Sequence, residues 1–346
     1  MSYLRVSKRV RLMQRAGPRW RQRGSALVVT LLVFAIGMAL VVPMYSEYTL
    51  LLKRHSNSYI AEQGYAYLRG GEELAAMLLL RDTEEDTARN LVRDDLSEDW
   101  AQQVPPYALD DGGWLAGKLE DLQGRFNLNS LSGQATETER FTVPQQQFIR
   151  LLQALEGPEL QLQDAIAITH AVADWIDVDA NPREYGAEDD YYYDATPPYR
   201  AANRALVSVS ELRAIANVTP EIFRALQPLV TVWTADQKIN IHTAPLGVLR
   251  SINSDGDLSP LTLEDGEQLI ELRGPAGFAG LTEFLSSPVL LDRTISPGLR
   301  ASLSESSNYF LFEAEVDVAD RISRLYSVLH RQNNSVTTLV RASGSL

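Results

Sequence analysis

The sequence predicts an α+β protein: a long N-terminal helix with a small antiparallel sheet, interrupted by a large all-α insertion. Three observations point there. From Ser25 to Ser46 there are 22 residues without a charge, and apolar residues at roughly helical spacing continue from Glu47 to Leu80. From Val143 to Trp233, and again from Thr243 to about Leu303, the apolar spacing stays helical. Near the C-terminus the period drops to two, so that Tyr309–Val316 and Arg324–His330 read as two strands joined by a short acidic turn. Strands therefore flank a helical block.

The N-terminal helix follows from charge as much as from hydropathy. The chain has 346 residues and a formal net charge of −13. Residues 1–24 hold eight bases and no acid, so the rest carries −21. The uncharged run after them is long enough to cross a bilayer, which takes about 20 apolar residues. The positive-inside rule places residues 1–24 in the cytoplasm and the body on the far side. A cleaved secretory signal has a shorter apolar core. An uncleaved single-pass anchor and a leader removed ahead of the apolar run both remain. Arg23-Gly24-Ser25-Ala26-Leu27-Val28-Val29-Thr30 resembles a prepilin peptidase site, cut between Gly24 and Ser25. Most such proteins carry Glu at the fifth residue after the cut; here it is Val29. A carboxylate in lipid is costly without a partner, so its lack allows a subunit that docks on nothing beneath it in the usual way.

Beyond the helix, residues 82–99 carry eight acids and read as a solvated face or loop. Gly112–Leu119 nearly matches a phosphate-binding loop, but Leu119 offers no hydroxyl for magnesium. The Lys118–Asn129 stretch reads as turns and short strands rather than the helix such a loop must open. Within the insertion, Gln145–Leu155 and Asp164–Ile176 have helical spacing. Ser208 and Thr219-Pro220 read as helix starts with a hydroxyl cap. The tail from Gln332 is polar and reads as loose.

Residues 174–194 are the densest charge, with eight acids and one base, Arg183. Asp177, Asp179 and Asn181 fall at positions 1, 3 and 5 of an EF-hand-like loop, and Glu188 at position 12. Pro182 stands where such a loop needs glycine, and a Tyr run follows where a helix is needed. The spacing therefore suggests a calcium loop of another geometry, with Asp189 and Asp194 as further ligands and room for one or two ions. A solvated acidic loop without an ion explains the same charges.

Enzyme signatures are lacking. The chain has no cysteine and four histidines, with neither HExxH nor GxSxG. His170 and Asp174 share a helix face and read as a local pair. Residues 239–285 resemble the helix-hairpin-helix domains of DNA-uptake proteins. However, the hairpin Asn253–Asp257 would meet phosphate with two carboxylates, and residues 240–293 carry −5. A body this acidic argues against nucleic acid and for protein contact. An anchored periplasmic DNA-binding protein of an uptake system stays as the alternative.

Taken in order along the chain, several segments resemble the type II secretion minor pseudopilin K family (general secretion pathway protein K). They are the Arg23-Gly24 junction without the usual Glu, Gly124–Asn129, Asp174–Asp179 and Gly186–Asp189. Tyr199–Asn203, Ser210–Arg213 and Ile239–Ala244 complete the set, with His242 where a second Asn is usual. The resemblance implies a pilin-like fold and a non-enzymatic tip subunit. It implies insertion in the inner membrane of a Gram-negative bacterium, cleavage after Gly24 by prepilin peptidase, and methylation of the new N-terminus. It also implies a periplasmic body, calcium in the acidic loop, and assembly with the minor pseudopilins I and J. That complex would prime a pseudopilus that helps secreted substrates across the outer membrane, with no nucleic acid as partner. The expected layout is a leader at 1–24 and a transmembrane helix at 25–46. Helix and first strands follow at 47–135, the insertion at 136–305 with its acidic loop at 174–194, and C-terminal strands and tail at 306–346.

Overall fold

The structure is a computed structural model that describes residues 25–110, 112–135, 139–234 and 238–344. Gly24 and the rest of the expected leader lie outside the described residues. The chain divides into two units, up to Tyr59 and from Ile60 onward. Helix α1 runs from Ser25 to Arg89.

In the first unit, α1 is long and apolar enough to cross a membrane. Its large apolar side chains, among them Leu27, Val29, Phe34 and Leu40, are exposed. The hydroxyls of Thr30, Ser46 and Thr49 bond back to carbonyls three or four residues earlier, which satisfies polar atoms without a partner helix. Pro43 is accommodated inside the helix.

The second unit holds a five-stranded antiparallel sheet. Its strands are β1 (Tyr107–Ala108), β2 (Trp114–Asp121), β7 (Tyr309–Val318), β8 (Arg321–Gln332) and β9 (Ser335–Ala342), in the order β1-β2-β7-β8-β9. Strand β7 alternates: Phe310, Phe312, Ala314, Val316 and Val318 are buried while Glu313, Glu315 and Asp317 are only partly so. The buried set packs on Leu68, Ala75 and Leu79 of α1, as period-two patterning on a half-covered sheet requires. The β7–β8 turn is tight because Ala319 and Asp320 both adopt positive φ, 51° and 62°, the conformation of a two-residue hairpin whose twist matches its strands. Both strands are longer than the sequence pattern indicated.

Two expectations fail here. The acidic stretch 82–99, expected as a solvated face or loop, is solvated over part of its length but not throughout. Helix α1 continues through Arg89, and Asp94 and Asp95 are each 1% exposed. The tail after Gln332 is not loose. It returns as β9 and pairs along β8 from Gln332↔Ser335 to Tyr326↔Ala342. Its β-branched Val336, Thr337, Thr338 and Val340 favour a strand, a signal hidden by its polar average.

Between β2 and β7 lies the helical block, built on a separate apolar core. It contains α2 (Val143–Gln153), α3 (Leu162–Ile176), α4 (Asp189–Tyr193), α5 (Pro220–Leu226), α6 (Leu246–Arg250), α7 (Leu263–Arg273), α8 (Leu281–Leu285) and α9 (Pro297–Ala301). Caps set several starts. Thr142 and Gln145 form a reciprocal capping box on α2, and Thr219 caps α5 ahead of Pro220. Ser208 caps a 3₁₀ turn, Val209–Ala214, rather than an α-helix. Two short parallel pairs join distant parts of this block: β3 (Phe126–Asn127) with β4 (Val230–Thr231), and β5 (Ile239–Asn240) with β6 (Leu303–Ser304).

The block is joined to the sheet by a buried polar network. Asn240 is fully buried. Its Nδ2 donates to the Asp94 carbonyl at 2.9 Å, to Asp121 Oδ2 at 3.1 Å and to Ser307 Oγ at 2.9 Å. Asp121 also accepts from the hydroxyls of Thr243 and Ser307 at 2.5 Å. Arg331 at the end of β8 reaches Asp94, Asp82 at 2.8 Å and the Ser307 carbonyl at 2.8 Å. Buried polar atoms need such satisfaction, and here it joins α1, β2, β5 and β8 at one point.

Candidate metal centre

Helix α3 ends at Ile176, with Asp177 at its C-cap, and the acidic loop runs from there to Glu188, the N-cap of α4. The loop closes tightly on Asp174. A Cβ on Gly186 would stand 1.7 Å from Asp174 Oδ2, so only glycine fits. Asp174 is fully buried and accepts from Arg183, through its backbone N at 3.1 Å and its guanidinium at 2.5 Å. The same guanidinium nitrogen donates to Asp177 Oδ2 at 2.5 Å. The local pair expected between His170 and Asp174 is thus not made, because Arg183 takes the carboxylate. His170 Nδ1 has no hydrogen-bond partner among the described residues.

Of the expected ligands, the fold brings together Asp177, Asp179 and Glu188. Each offers a carboxylate oxygen within 4.8 Å of the others. Asn181 turns its donors onto Asp179 Oδ1, through N at 2.9 Å and Nδ2 at 3.0 Å. Asp189 uses Oδ1 to accept from Ala201 N at 3.0 Å. Asp194 is the C-cap of α4 and is not among the grouped residues.

The loop holds unmet acceptors. Glu188 is 4% exposed, yet among the described residues neither of its carboxylate oxygens has a hydrogen-bond partner, and Asp177 Oδ1 and Asn203 Oδ1 are likewise buried and unpartnered there. Burial, followed by the charges of Asp174, Asp177, Asp179 and Asp189, pushes Glu188 up to about 7. A buried carboxylate without a donor is expensive, and a cation among these oxygens removes that cost. The donor set is all oxygen, which suits calcium or magnesium rather than zinc. Asn203 was not among the ligands expected from sequence. It lies outside the 12-residue spacing, and only the fold returns it to the loop.

A second acidic group contrasts with the first. Asp82, Asp94 and Glu98 also converge, but their oxygens are used. Arg331 bridges the two aspartates, and Trp100 Nε1 donates to Glu98 at 2.6 Å. There the cation is already an arginine.

The hairpin Asn253–Asp257 does not offer a phosphate cradle. Its backbone amides are spent internally: Ser254 N on Asn253 Oδ1, Asp255 N on the Thr294 carbonyl, Gly256 N on Gln146 Oε1 and Asp257 N on the Ser254 carbonyl. Buried Arg150 takes the hairpin carbonyls of Ser254 and Asp257 and that of Ser251 just ahead of it. Near-match Gly112–Leu119 lies largely on β2, with no helix opening after it.

Comparison with known proteins agrees with this architecture. The family model for type II secretion system (T2SS) protein K matches residues 124–235. The type II secretion system protein K of Pseudomonas aeruginosa is 33% identical over 329 residues, covering 93% of each chain. That of Aeromonas hydrophila is 33% identical over 341 residues, covering 94% of this chain and 98% of its own. A chain in the crystal structure of the GspK–GspI–GspJ complex from the enterotoxigenic Escherichia coli type 2 secretion system superposes with a TM-score of 0.72. It is 25% identical, and the match covers 85% of this chain and all of that one. With about a third of residues identical along nearly the whole chain, this protein belongs to the type II secretion system protein K family.

Proposed function

We propose that this chain is the minor pseudopilin at the tip of a type II secretion pseudopilus, anchored in the bacterial inner membrane with its body in the periplasm. It assembles there with the I and J minor pseudopilins, helps start pseudopilus assembly, and so serves export of folded proteins across the outer membrane. The role is structural rather than catalytic. The observation that carries this reading is the agreement in fold with a chain of the GspK–GspI–GspJ complex over that chain's entire length. The bulky helical block suits a subunit above which nothing has to stack.

The leader is removed between Gly24 and Ser25 by prepilin peptidase, and the new N-terminus is methylated. Val29 in place of Glu fits a subunit at the top of the assembly, so Val29→Glu alters its recruitment. Mass spectrometry of the membrane-bound protein tests the processing: a methylated N-terminal peptide beginning at Ser25 supports it. An intact Met1 in cells with an active peptidase refutes it.

The acidic loop holds calcium. Asp177, Asp179 and Glu188 supply its charge, while Arg183 neutralises Asp174 behind them. What supports this is the set of buried oxygens with no donor. A bound cation would cross-link α3 to α4 and rigidify that side of the helical block.

A further inference from the structure

We propose that Glu98 and Asp82 share one proton, and that this pair is a pH-dependent latch holding the Asp95–Ala101 segment on α1. Asp82 of α1, Asp94 and Glu98 bring carboxylate oxygens within 4.8 Å of one another. One guanidinium serves them: Arg331 Nη1 holds Asp82 Oδ2 at 2.8 Å and Nη2 holds Asp94 Oδ1. Asp94 Oδ2 accepts from Ser307 N at 2.7 Å, so N–H donors occupy both Asp94 oxygens and leave no place there for a proton. Glu98 has no cation among the described residues. Its Oε2 accepts from Trp100 Nε1 at 2.6 Å, and its carboxyl meets that of Asp82 in a hydrogen bond. Ionised carboxylates only accept, so a hydrogen bond between two of them requires a proton.

The surroundings place that proton on Glu98. Asp82 and, behind it, Asp86 face it from α1, and Asp94 and Asp95 from its own segment. Asp121 of β2 reaches the cluster through Asp94. Asp99, Arg81, Glu85 and Arg89 line the same cleft, but both of those arginines turn onto Glu85. Arg93 is spent on Asp95 at 3.0 Å. Burial, then the neighbouring acids, push Glu98 up to about 8. Arg331 favours the ionised form of Asp82, so Glu98 donates and Asp82 accepts.

The latch bears on Trp100. That ring is buried, stands edge-on to Phe310 at 5.1 Å, and packs in the core that α1 shares with the sheet. It also rims an apolar groove with Leu74, Leu78, Val104 and Phe312. Loss of the proton sets two acceptors against each other, frees the segment and uncovers apolar surface on α1. The closed segment keeps a proton that the open one loses. The latch therefore loosens about tenfold per pH unit between the ordinary glutamate value and about 8.

Hydrogen exchange of the full chain in detergent at about pH 5.5 and 7.5, corrected for the intrinsic pH dependence of exchange, tests this. Peptides spanning residues 95–101 report the latch, and those of β8 report global folding. Wild-type protection of the segment should fall by about a hundredfold over those two units. In Glu98→Gln, whose amide donates to Asp82 at every pH, it should stay constant. In Glu98→Ala it should already be low at the acid value. A wild-type segment equally protected at both values overturns the proposal. So does a Glu98→Gln segment that loosens as the wild type does, or a Glu98→Ala segment as protected as the wild type at the acid value. Should β8 lose protection in Glu98→Ala as well, the Glu98→Gln comparison decides alone.

Discussion

Arg341 on the last strand and Glu72 in the C-terminal half of α1 form a two-point contact, Nη2 to Oε1 at 2.8 Å and Nε to Oε2 at 2.9 Å. Glu72 is 2% exposed and also accepts from Ser327 and Thr338. The strand that sequence left as a loose tail thus joins Arg69 of the same helix, 2.8 Å from Glu72 Oε1, in neutralising a buried charge. Replacing Arg341 by Met should destabilise the protein by about 2 kcal/mol in urea unfolding. That lies below the range for a fully buried pair, because Arg341 is partly open to water. Although burial opposes it, hydrogen bonding by Arg341, Ser327 and Thr338 leaves the Glu72 carboxyl below its ordinary value. Its contribution is therefore present above the ordinary glutamate value and is lost as pH falls through the folded value.

Glu98 runs the other way. Burial, then the nearby charges of Asp82, Asp94 and Asp95, push it up to about 8. The folded state keeps a proton that the unfolded state has lost, so stability falls as pH rises from the ordinary glutamate value to about 8. Thermal melts between pH 5 and 8.5 should show this decline, and Glu98→Gln should flatten it. A slope unchanged in the variant would remove Glu98 as its source.

Asn240 feeds three acceptors at the join between sheet and helical block. Asn240→Ala strips a donor from the buried Asp121 carboxylate and should cost about 2–3 kcal/mol, the scale for an unsatisfied buried polar group. Chemical denaturation measures it. A loss under about 0.5 kcal/mol, typical of surface substitutions, would contradict the assigned role.

Calcium at a hundredfold excess over its dissociation constant should stabilise the protein by about 2.7 kcal/mol, seen as a rise in melting temperature that a chelator reverses. Glu188→Gln should abolish the rise, because Glu188 contributes two of the unpartnered oxygens.

The fold was largely legible in the sequence where periodicity is strong. The apolar run, the alternation in β7 and the hydroxyl cap of α5 each follow from local residues. What failed was non-local. Asp94 and Asp95 are acids that sequence assigns to solvent, and Arg331, more than 200 residues away, is what lets Asp94 be buried. Strand β9 is too polar to announce itself, and pairing with β8 decides it. In the acidic loop, spacing led to Asp177, Asp179 and Glu188. It could not show that Arg183 removes Asp174 from play, that Asn181 faces Asp179 as a donor, or that Asn203 returns from a separate segment.

Co-purification tests membership of the tip complex. The full chain would be co-expressed in detergent-solubilised membranes with the I and J minor pseudopilins of the same bacterium, and the eluate weighed by native mass spectrometry. A ternary species containing all three chains is the expected result. Recovery of this chain alone, with both candidate partners folded and present, would contradict it.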